Sequence, residues 1–353
     1  MHAERSSKIV ANWVFLGVAM LVIQVLLGGI TRLTGSGLSI TEWKPIMGAI
    51  PPLSETEWQQ AFSKYQQIAQ YKYLNHHFTL SDFKFIFFWE WFHRLWARTI
   101  GVVFLIPFIY FMMKRYIRRW MVMPLVILFI LGGLQGLIGW IMVKSGLNDE
   151  NLYVNHIRLA IHFVSAMVLI AYALVFGLML SIPQENRVAD ASLKKNTIAI
   201  TALLVIQLFY GAFMAGMKGA GVAPTWPDIN GVMMPVQFFS GNIINDLFFN
   251  IINIHFIHRT LAYIIFVLII LWWLKARKYS YSPSFNKAKN LPLIFVFVQV
   301  VLGILSILNS PKIILGHFGI FEWFAQLHQL TGMLLLLSLI SVIYLLCFKK
   351  NTV

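Results

Sequence analysis

Eight apolar runs, each long enough to cross a lipid bilayer, constrain this chain more than any other feature of its sequence. A bilayer core of roughly 30 Å is crossed by about 20 consecutive apolar residues in a helix. The runs lie near 11–31, 87–113, 122–144, 157–181, 197–217, 253–275, 291–308 and 325–348. Hydrophobic residues make up 59% of the 353 residues and charged residues only 12%, against about 25% charged residues in soluble domains. The sequence therefore predicts an all-α integral membrane protein with eight transmembrane helices.

Basic residues gather in alternate connections between these runs. They cluster at 5–8, 114–119, 187–195, 275–289 and 349–350, which hold more than half of the 28 lysines and arginines. The positive-inside rule places such connections in the cytoplasm, so both chain termini are predicted to be cytoplasmic. The net charge of +15 follows largely from this topology, and nucleic-acid binding is not needed to explain it.

The first apolar run predicts a retained helix rather than a cleaved signal. It is too long for the apolar core of a signal peptide, and no small-residue cleavage site follows it. No presequence rich in arginine and serine precedes it, which favours a bacterial cytoplasmic (inner) membrane over import into an organelle.

The chain contains an internal duplication. Four segment pairs align in the same order, namely 23–52 with 206–235, 93–98 with 258–263, 134–139 with 298–303, and 159–163 with 325–329. Repeats in a fixed order indicate repeated structural units, here a first half at 1–185 and a second half at 186–353. Because each half has an even number of helices, both halves run the same way through the membrane. We expect two tandem four-helix bundles related by a pseudo-twofold axis along the membrane normal.

The long external connection after the first run predicts a further helix. Ser54 and Glu57 form a capping box, in which each residue satisfies a backbone N–H group of the other. Trp58, Phe62 and Tyr65 then recur at helical spacing. This pattern is typical of an amphipathic helix that lies on the outer surface.

The duplication selects four of the ten histidines. His93 and His258 occupy the second helix of each half, and His162 and His328 occupy the fourth. Two imidazoles that face each other from different helices are what axial ligation of a haem iron requires, so four such residues predict two haems, one per half. The alternative is that each histidine only forms hydrogen bonds at the membrane interface. We expect the haem sites to lie toward the outer face.

Three arginines are candidates for holding haem propionates. Arg94 and Arg259 directly follow the second-helix histidines, and Arg158 lies one turn before His162. A guanidinium group stays charged and offers paired donors to a carboxylate. The alternative is that these side chains anchor helix ends at the membrane surface.

Glycines near the histidines allow two interpretations. They could let a macrocycle lie against the backbone, or they could let neighbouring helices pack closely. The glycines concerned are those of GGLQG at 132–136, with Gly28, Gly29, Gly139, Gly211 and Gly303.

The two halves differ three residues before the second-helix histidine. The first half has Glu90 at this position, and the second half has the aligned His255. A carboxylate close to a haem edge can take protons or position water, whereas an electron-transfer haem needs none. We therefore predict that the first half performs chemistry and that the second half holds an electron-transfer or structural haem.

The sequence resembles the haem A synthase family over nearly its whole length. The resemblance is carried by GGITRLTGSGLSITEWKPIMGAIPP after the first helix, FKFIFFWEWFHR entering the second, RLAIHF in the fourth, HFIHRTLAY in the sixth and AQLHQLTG in the eighth. It implies oxidation of the C8 methyl group of haem O to a formyl group, giving haem A, by successive hydroxylations with oxygen from water.

The resemblance also implies roles for individual residues. Glu90 would be the catalytic acid. His93 and His162 would hold the substrate haem, and His258 and His328 would be the iron ligands of one haem b. His255, with the three arginines, would surround these sites.

The resemblance further implies partners. A haem O synthase would supply the substrate, assembly of a terminal oxidase would use the product, and an electron acceptor of unknown identity would be needed. Membrane lipid surrounds the chain, and a homo-oligomer is compatible with the sequence. Some relatives carry a cysteine pair in an external loop, but Cys347 is the only cysteine here, as in the mitochondrial and proteobacterial branch.

Two alternatives stay open at the level of sequence. A di-haem b-type electron-transfer cytochrome would keep both haems as permanent cofactors, and the difference between Glu90 and His255 argues against it. A transporter could also contain parallel repeats, but its polar residues would be expected near the bilayer midplane.

Overall fold

The structure is a computed structural model, and it describes residues 2–44, 47–235, 238–278, 280, 282–314 and 317–347, without the side chains of residues 2–6 and 47. Eleven α-helices occur within these ranges. They are α1 (His2–Leu33), α2 (Glu55–Tyr65), α3 (Leu80–Met113), α4 (Arg119–Lys144), α5 (His156–Ser181), α6 (Ala191–Gly216), α7 (Ile243–Phe248), α8 (Ile251–Ala276), α9 (Pro283–Ala288), α10 (Leu291–Asn309) and α11 (Ile320–Leu345).

Eight of the helices in the described part of the chain are long and apolar enough to span a membrane, namely α1, α3, α4, α5, α6, α8, α10 and α11. This confirms the prediction of an all-α membrane protein with eight spans. The predicted end of the last run at 348 and the basic pair at 349–350 lie outside the described residues.

Helix α3 begins at Leu80, earlier than the apolar run at 87 predicts. The cause is a capping box before the run, in which the Asp82 carboxylate accepts a hydrogen bond from the Thr79 backbone N–H at 2.8 Å. Helix caps are polar, so apolar periodicity alone does not reveal them. As a result, His93 lies deeper along its helix than expected.

The spanning helices pack in two groups with the same order of contacts. In the first group α1 packs on α3 and α5, and α4 packs on α5; in the second, α6 packs on α8 and α11, and α10 packs on α11. The groups meet where α5 packs on α6 and α11, and where α1 packs on α11. The division at 185/186 and the pseudo-twofold axis stay predictions.

The contact between α1 and α11 carries polar links across the junction of the two groups. Gln326 and Gln329 on α11 donate hydrogen bonds from Nε2 to the carbonyl oxygens of Leu26 and Val25 on α1, at 3.1 and 3.2 Å. Gly29 leaves the space that the Gln326 side chain occupies. In an apolar environment such side-chain bonds and small residues hold helices together, because lipid contact offers no alternative partner.

The external helix predicted from Ser54 and Glu57 is α2, and its capping box is present. Its apolar face packs on the N-terminal end of α3, with the rings of Phe62 and Tyr65 lying 5.1 and 5.4 Å from that of Phe83. The helix therefore covers the end of the first group that the charge pattern predicts to be external.

Candidate functional site

A single large cavity runs through both groups of helices and brings all four predicted histidines together. Its volume is about 1140 Å³, larger than the roughly 300–1,000 Å³ of a pocket for one small ligand. His93, His162, His258 and His328 all line it, and so does Glu90.

The histidine pair of the second group has a spacing that fits an iron between the rings. The ring centroids of His258 and His328 are 6.4 Å apart. Imidazole nitrogens bind metal ions of this size at about 2 Å, so two rings on opposite sides of one iron have centroids roughly 6 Å apart. His328 Nδ1 donates a hydrogen bond to the Gln299 carbonyl at 3.0 Å, so Nε2, which lies 3.2 Å from Gln299 Nε2, is the nitrogen that can serve as a metal ligand.

The donor set fits haem iron better than a bare metal ion. Each pair offers two imidazoles, and no group of three or more metal-binding side chains occurs in the part of the chain that the structure describes. A bare ion such as zinc takes three or four protein ligands. A haem iron brings four nitrogens of its own and needs only the two axial ligands that each pair supplies.

Four glutamines accompany the four histidines, and sequence analysis assigned them no role. The Nε2 atoms of Gln24, Gln135, Gln207 and Gln299 lie 3.2, 3.2, 3.4 and 3.2 Å from a ring nitrogen of the histidine on the next spanning helix. The first three also donate to the backbone carbonyl of that histidine, at 3.2, 2.9 and 2.9 Å.

Gln135 differs from the other three glutamines in the hydrogen bonding of its carboxamide oxygen. The Oε1 atoms of Gln24, Gln207 and Gln299 have no hydrogen-bond partner among the described residues, whereas Gln135 Oε1 accepts a hydrogen bond from Ser165 at 2.7 Å. Groups of this kind orient metal-binding imidazoles and adjust their donor strength.

A glycine lies one turn after each glutamine and touches the same histidine. A Cβ atom at Gly28, Gly139, Gly211 or Gly303 would come 3.1, 2.8, 3.1 or 3.0 Å from the Cε1 atom of the ring. Any larger residue would push the imidazole aside. The four-fold recurrence of Gln-x-x-x-Gly, visible in the sequence, is the signal that could have identified these positions.

Glu90 is buried, with 2% of its surface exposed, and its carboxylate is held by three donors. Oε2 accepts hydrogen bonds from the Ser39 hydroxyl and the Ile40 backbone N–H, both at 2.8 Å, and Oε1 pairs with Arg94 at 2.6 Å. A carboxylate has about four acceptor positions, so one remains for a further donor in the cavity. Glu90 lies one helical turn from His93.

The aligned position in the second group is arranged differently. His255 Nε2 donates to the Gly219 carbonyl at 2.8 Å, and Nδ1 lies 3.5 Å from Arg259 Nη2. The aligned position therefore holds no carboxylate, and the buried Glu322, which also lines the cavity in this half, lies on α11.

Two of the three predicted arginines donate hydrogen bonds to the connection that follows the first spanning helix of their own half. Arg94 donates to the carbonyls of Ile40 and Glu42, and Arg259 donates to those of the aligned Ala223 and Thr225. Both arginines line the cavity.

Arg158 differs from the other two arginines. It donates to the Ile141 carbonyl at 3.2 Å and lines a separate, small polar pocket. The structure therefore does not bring Arg158 to the four histidines.

The structure adds two cations that sequence analysis missed. Arg32 lines the cavity between the groups, and its buried Nε has no partner among the described residues. Lys218 also lines the cavity, where its Nζ donates to the Arg32 carbonyl at 3.3 Å and lies 5.0 Å from the Tyr153 ring centroid. Although part of this side chain is accessible, burial lowers the pKa of Lys218 to about 8; Arg32 adds to this effect and Glu322 opposes it. Glu322 also lines the cavity and acts on both cations, and the remaining positive charge favours a further anionic group beside them.

Eight spanning helices in the described part of the chain, around a cavity that two pairs of histidines line, define a multi-pass membrane protein with two candidate haem sites. Residues 11–340 match the family model described as cytochrome oxidase assembly protein, and the chain belongs to that family.

Curated relatives in this family carry the name heme A synthase. The relative from Flavobacterium johnsoniae is 37% identical over 318 residues, 89% of this chain and 93% of the relative. The relative from Flavobacterium psychrophilum is 38% identical over 342 residues, 94% and 96% of the two chains. That from Nitrosomonas eutropha is 38% identical over 331 residues, 92% and 90%.

Proposed function

We propose that this protein is a haem A synthase, an oxidoreductase that converts the C8 methyl group of haem O into the formyl group of haem A. The substrate haem lies between His93 and His162, and one haem b lies between His258 and His328. The observation that carries the proposal is the asymmetry of the aligned positions one helical turn before His93 and His258: the first holds the buried carboxylate of Glu90 and the second holds His255. A second buried carboxylate that lines the cavity, Glu322, lies on the first turn of α11 near Arg32 and Lys218.

The reaction sets what the site has to supply. Oxidation of a methyl group to a formyl group takes up one water and releases four protons and four electrons. Two hydroxylations with water-derived oxygen reach a hydrated aldehyde, which loses water to give the formyl group. The site must therefore position water at the methyl carbon, accept protons, and pass electrons to an acceptor.

Glu90 is placed to position that water. Three of its acceptor positions are taken by Ser39, Ile40 and Arg94, and the remaining one faces the cavity. The three donors fix the carboxylate, so it need not reorganise when the water binds. From this position Glu90 also receives protons as the water attacks.

The second pair of histidines serves electron removal. When bound there, haem b supplies one-electron transfer toward an external acceptor. The Gln326 and Gln329 bonds to α1 keep α11, which carries His328, at a fixed place beside the first site.

The location and partners follow from the same reaction. We propose that the protein lies in the bacterial cytoplasmic membrane with both termini inside and the haem sites toward the outer face. Haem O would come from a haem O synthase, and haem A would pass to an assembling terminal oxidase. Relatives in the family are named for that assembly and for haem A synthesis.

The proposal is tested by co-expressing the chain with a supply of haem O, purifying it in mild detergent, and identifying the extracted haems by chromatography and mass. We expect haem B together with haem O, haem A or a hydroxylated intermediate. Haem B alone, at two per chain, would make the protein an electron-transfer cytochrome. A colourless protein would favour a transporter.

Arg32 is expected to bind a haem propionate, and this gives a second test. Arg32→Met should speed transfer of haem to excess apomyoglobin by about tenfold, because a hydrogen bond between charged groups contributes about 1.5–3 kcal/mol. Lys72→Met is the control, since Lys72 pairs with Asp149 at the surface and does not line the cavity. An equal rate for Arg32→Met and wild type would contradict the role.

A further inference from the structure

The cavity reaches further toward the predicted cytoplasmic side in the first group of helices than in the second. In the second group its deepest lining residues are Leu204 on α6, Ile265 on α8 and Val296 on α10. In the first group the lining continues past the aligned positions. We call this additional region the glycine-lined extension, and it begins at Gly132 and Gly133 on α4. Its other lining residues are Trp13, Val14, Gly17 and Met20 on α1, Gly101, Val103 and Phe104 on α3, and Leu128 and Phe129 on α4.

The glycines of the extension face open space. A Cβ atom added at Gly17, Gly101, Gly132 or Gly133 would have no heavy atom of the described residues within 4 Å. Glycine inside a helix costs about 0.5–1 kcal/mol relative to alanine. The usual compensation in membranes is close approach of a neighbouring helix. No such neighbour lies against these four positions, so another occupant of the space has to account for them.

The duplication supplies an internal comparison. By the alignment of the two halves, Gly17, Gly101, Gly132 and Gly133 correspond to Ile200, Phe266, Val296 and Phe297. All four aligned residues are large and apolar.

These large residues fill the corresponding region of the second group. Ile200 and Val296 are buried, with 3% and 2% of their surfaces exposed. Phe266 and Phe297 pack edge to face with ring centroids 4.8 Å apart, which joins α8 to α10. Phe297 is itself 48% exposed, so Ile200, Val296 and the ring of Phe266 are the side chains that occupy in the second half the space that the first half leaves open.

We propose that the glycine-lined extension binds the farnesyl chain of haem O. The inference rests on the proposed function and adds the residues that select a farnesylated haem over haem B. The extension is continuous with the site of His93 and His162, and its other walls are apolar, including Trp13 and Phe104.

The dimensions agree with this occupant. Phe104 lies eleven residues beyond His93 on α3, which corresponds to roughly 16 Å along a helix. An extended farnesyl chain is of comparable length. In the second half Ile200, Val296 and Phe266 occupy the equivalent region, so a haem without a tail fits there and a farnesylated haem does not.

The test transfers the second half's residues into the first. Gly101→Phe and Gly132→Val are expressed separately with a supply of haem O, and the extracted haems are quantified. Farnesylated haem should fall about tenfold or more relative to haem B, because excluding even two methylene groups from an apolar site already costs about tenfold in affinity. Haem B should not fall below one per chain, because the second pair still binds it, and it can rise as protohaem enters the first site; a content of at least one reports correct folding.

Val102→Phe is the matched control. Val102 neighbours Gly101, but it is 53% exposed on the side of α3 that faces away from the cavity. It should retain the wild-type ratio. A second arm supplies protohaem alone: Gly101→Phe should load the first site with protohaem as wild type does.

Three outcomes decide the matter. Wild-type levels of farnesylated haem in both glycine variants would overturn the inference and leave the space to a lipid chain. Loss of protohaem from the first site would also overturn it, since the glycines would then face the macrocycle. Absence of farnesylated haem from the wild type itself would instead contradict the proposed function.

Discussion

Replacement of Glu90 by glutamine should stop the conversion of haem O while leaving both haems bound. The amide keeps the size of the side chain, but it presents a donor where the carboxylate accepts hydrogen bonds from Ser39, Ile40 and Arg94. It can neither orient a water through its acceptor position nor take up a proton. Loss of a positioned acid or base typically costs about 100-fold or more in rate.

The measurement is the ratio of haem A and hydroxylated intermediates to haem O in the purified Glu90→Gln protein. Glu55→Gln is the control, because Glu55 is an exposed residue of α2 that pairs with Lys84 at 3.4 Å. Haem B content and the amount of bound haem O should match wild type in both variants. Haem A formation at the wild-type rate by Glu90→Gln would remove Glu90 from the mechanism.

Substitution of single histidines should remove one haem at a time and identify which haem each pair binds. His258→Ala should abolish haem B binding at the second pair, and His93→Ala should abolish retention of farnesylated haem at the first. The reason is that each iron depends on two axial imidazoles, and the spacing of 6.4 Å between the rings of His258 and His328 fits one iron between them.

The haem content per chain and the visible spectrum of each variant measure this outcome. His156→Ala is a suitable control, because His156 binds the Phe248 carbonyl and lines a separate polar pocket. Should His93→Ala lose haem B and His258→Ala lose the farnesylated haem, the assignment of the two halves would be reversed. Loss of both haems from each variant would instead mean that the sites form only together.

The eight spans and the four histidines could be predicted because each rests on a local property of the sequence. A run of about 20 apolar residues is long enough to cross a bilayer whatever surrounds it. The duplication then selected His93, His162, His258 and His328 by position, and the structure brings all four to one cavity.

The glutamines and Arg32 were missed because their role appears only between helices. Gln24 and Gln207 were aligned in the sequence, but a glutamine in an apolar run could form hydrogen bonds with polar groups on any neighbouring helix. Contact with His93 and His258 is decided by how α1 packs on α3 and how α6 packs on α8. Arg158 is the opposite case. It was expected near the haem because it lies one turn from His162, yet it lines a different pocket.

The amino-acid sequence by itself determined the class of this protein, the number of its spans and the four histidines that share the cavity, since hydrophobic length, residue chemistry and repeat spacing do not depend on distant contacts. Tertiary structure decided which of the polar residues share the cavity and how that cavity differs between the halves. Gly101 and Phe266 are both compatible with a membrane helix. Only the packing of α3 beside α4, and of α8 beside α10, leaves open space beside Gly101 and brings the ring of Phe266 against that of Phe297.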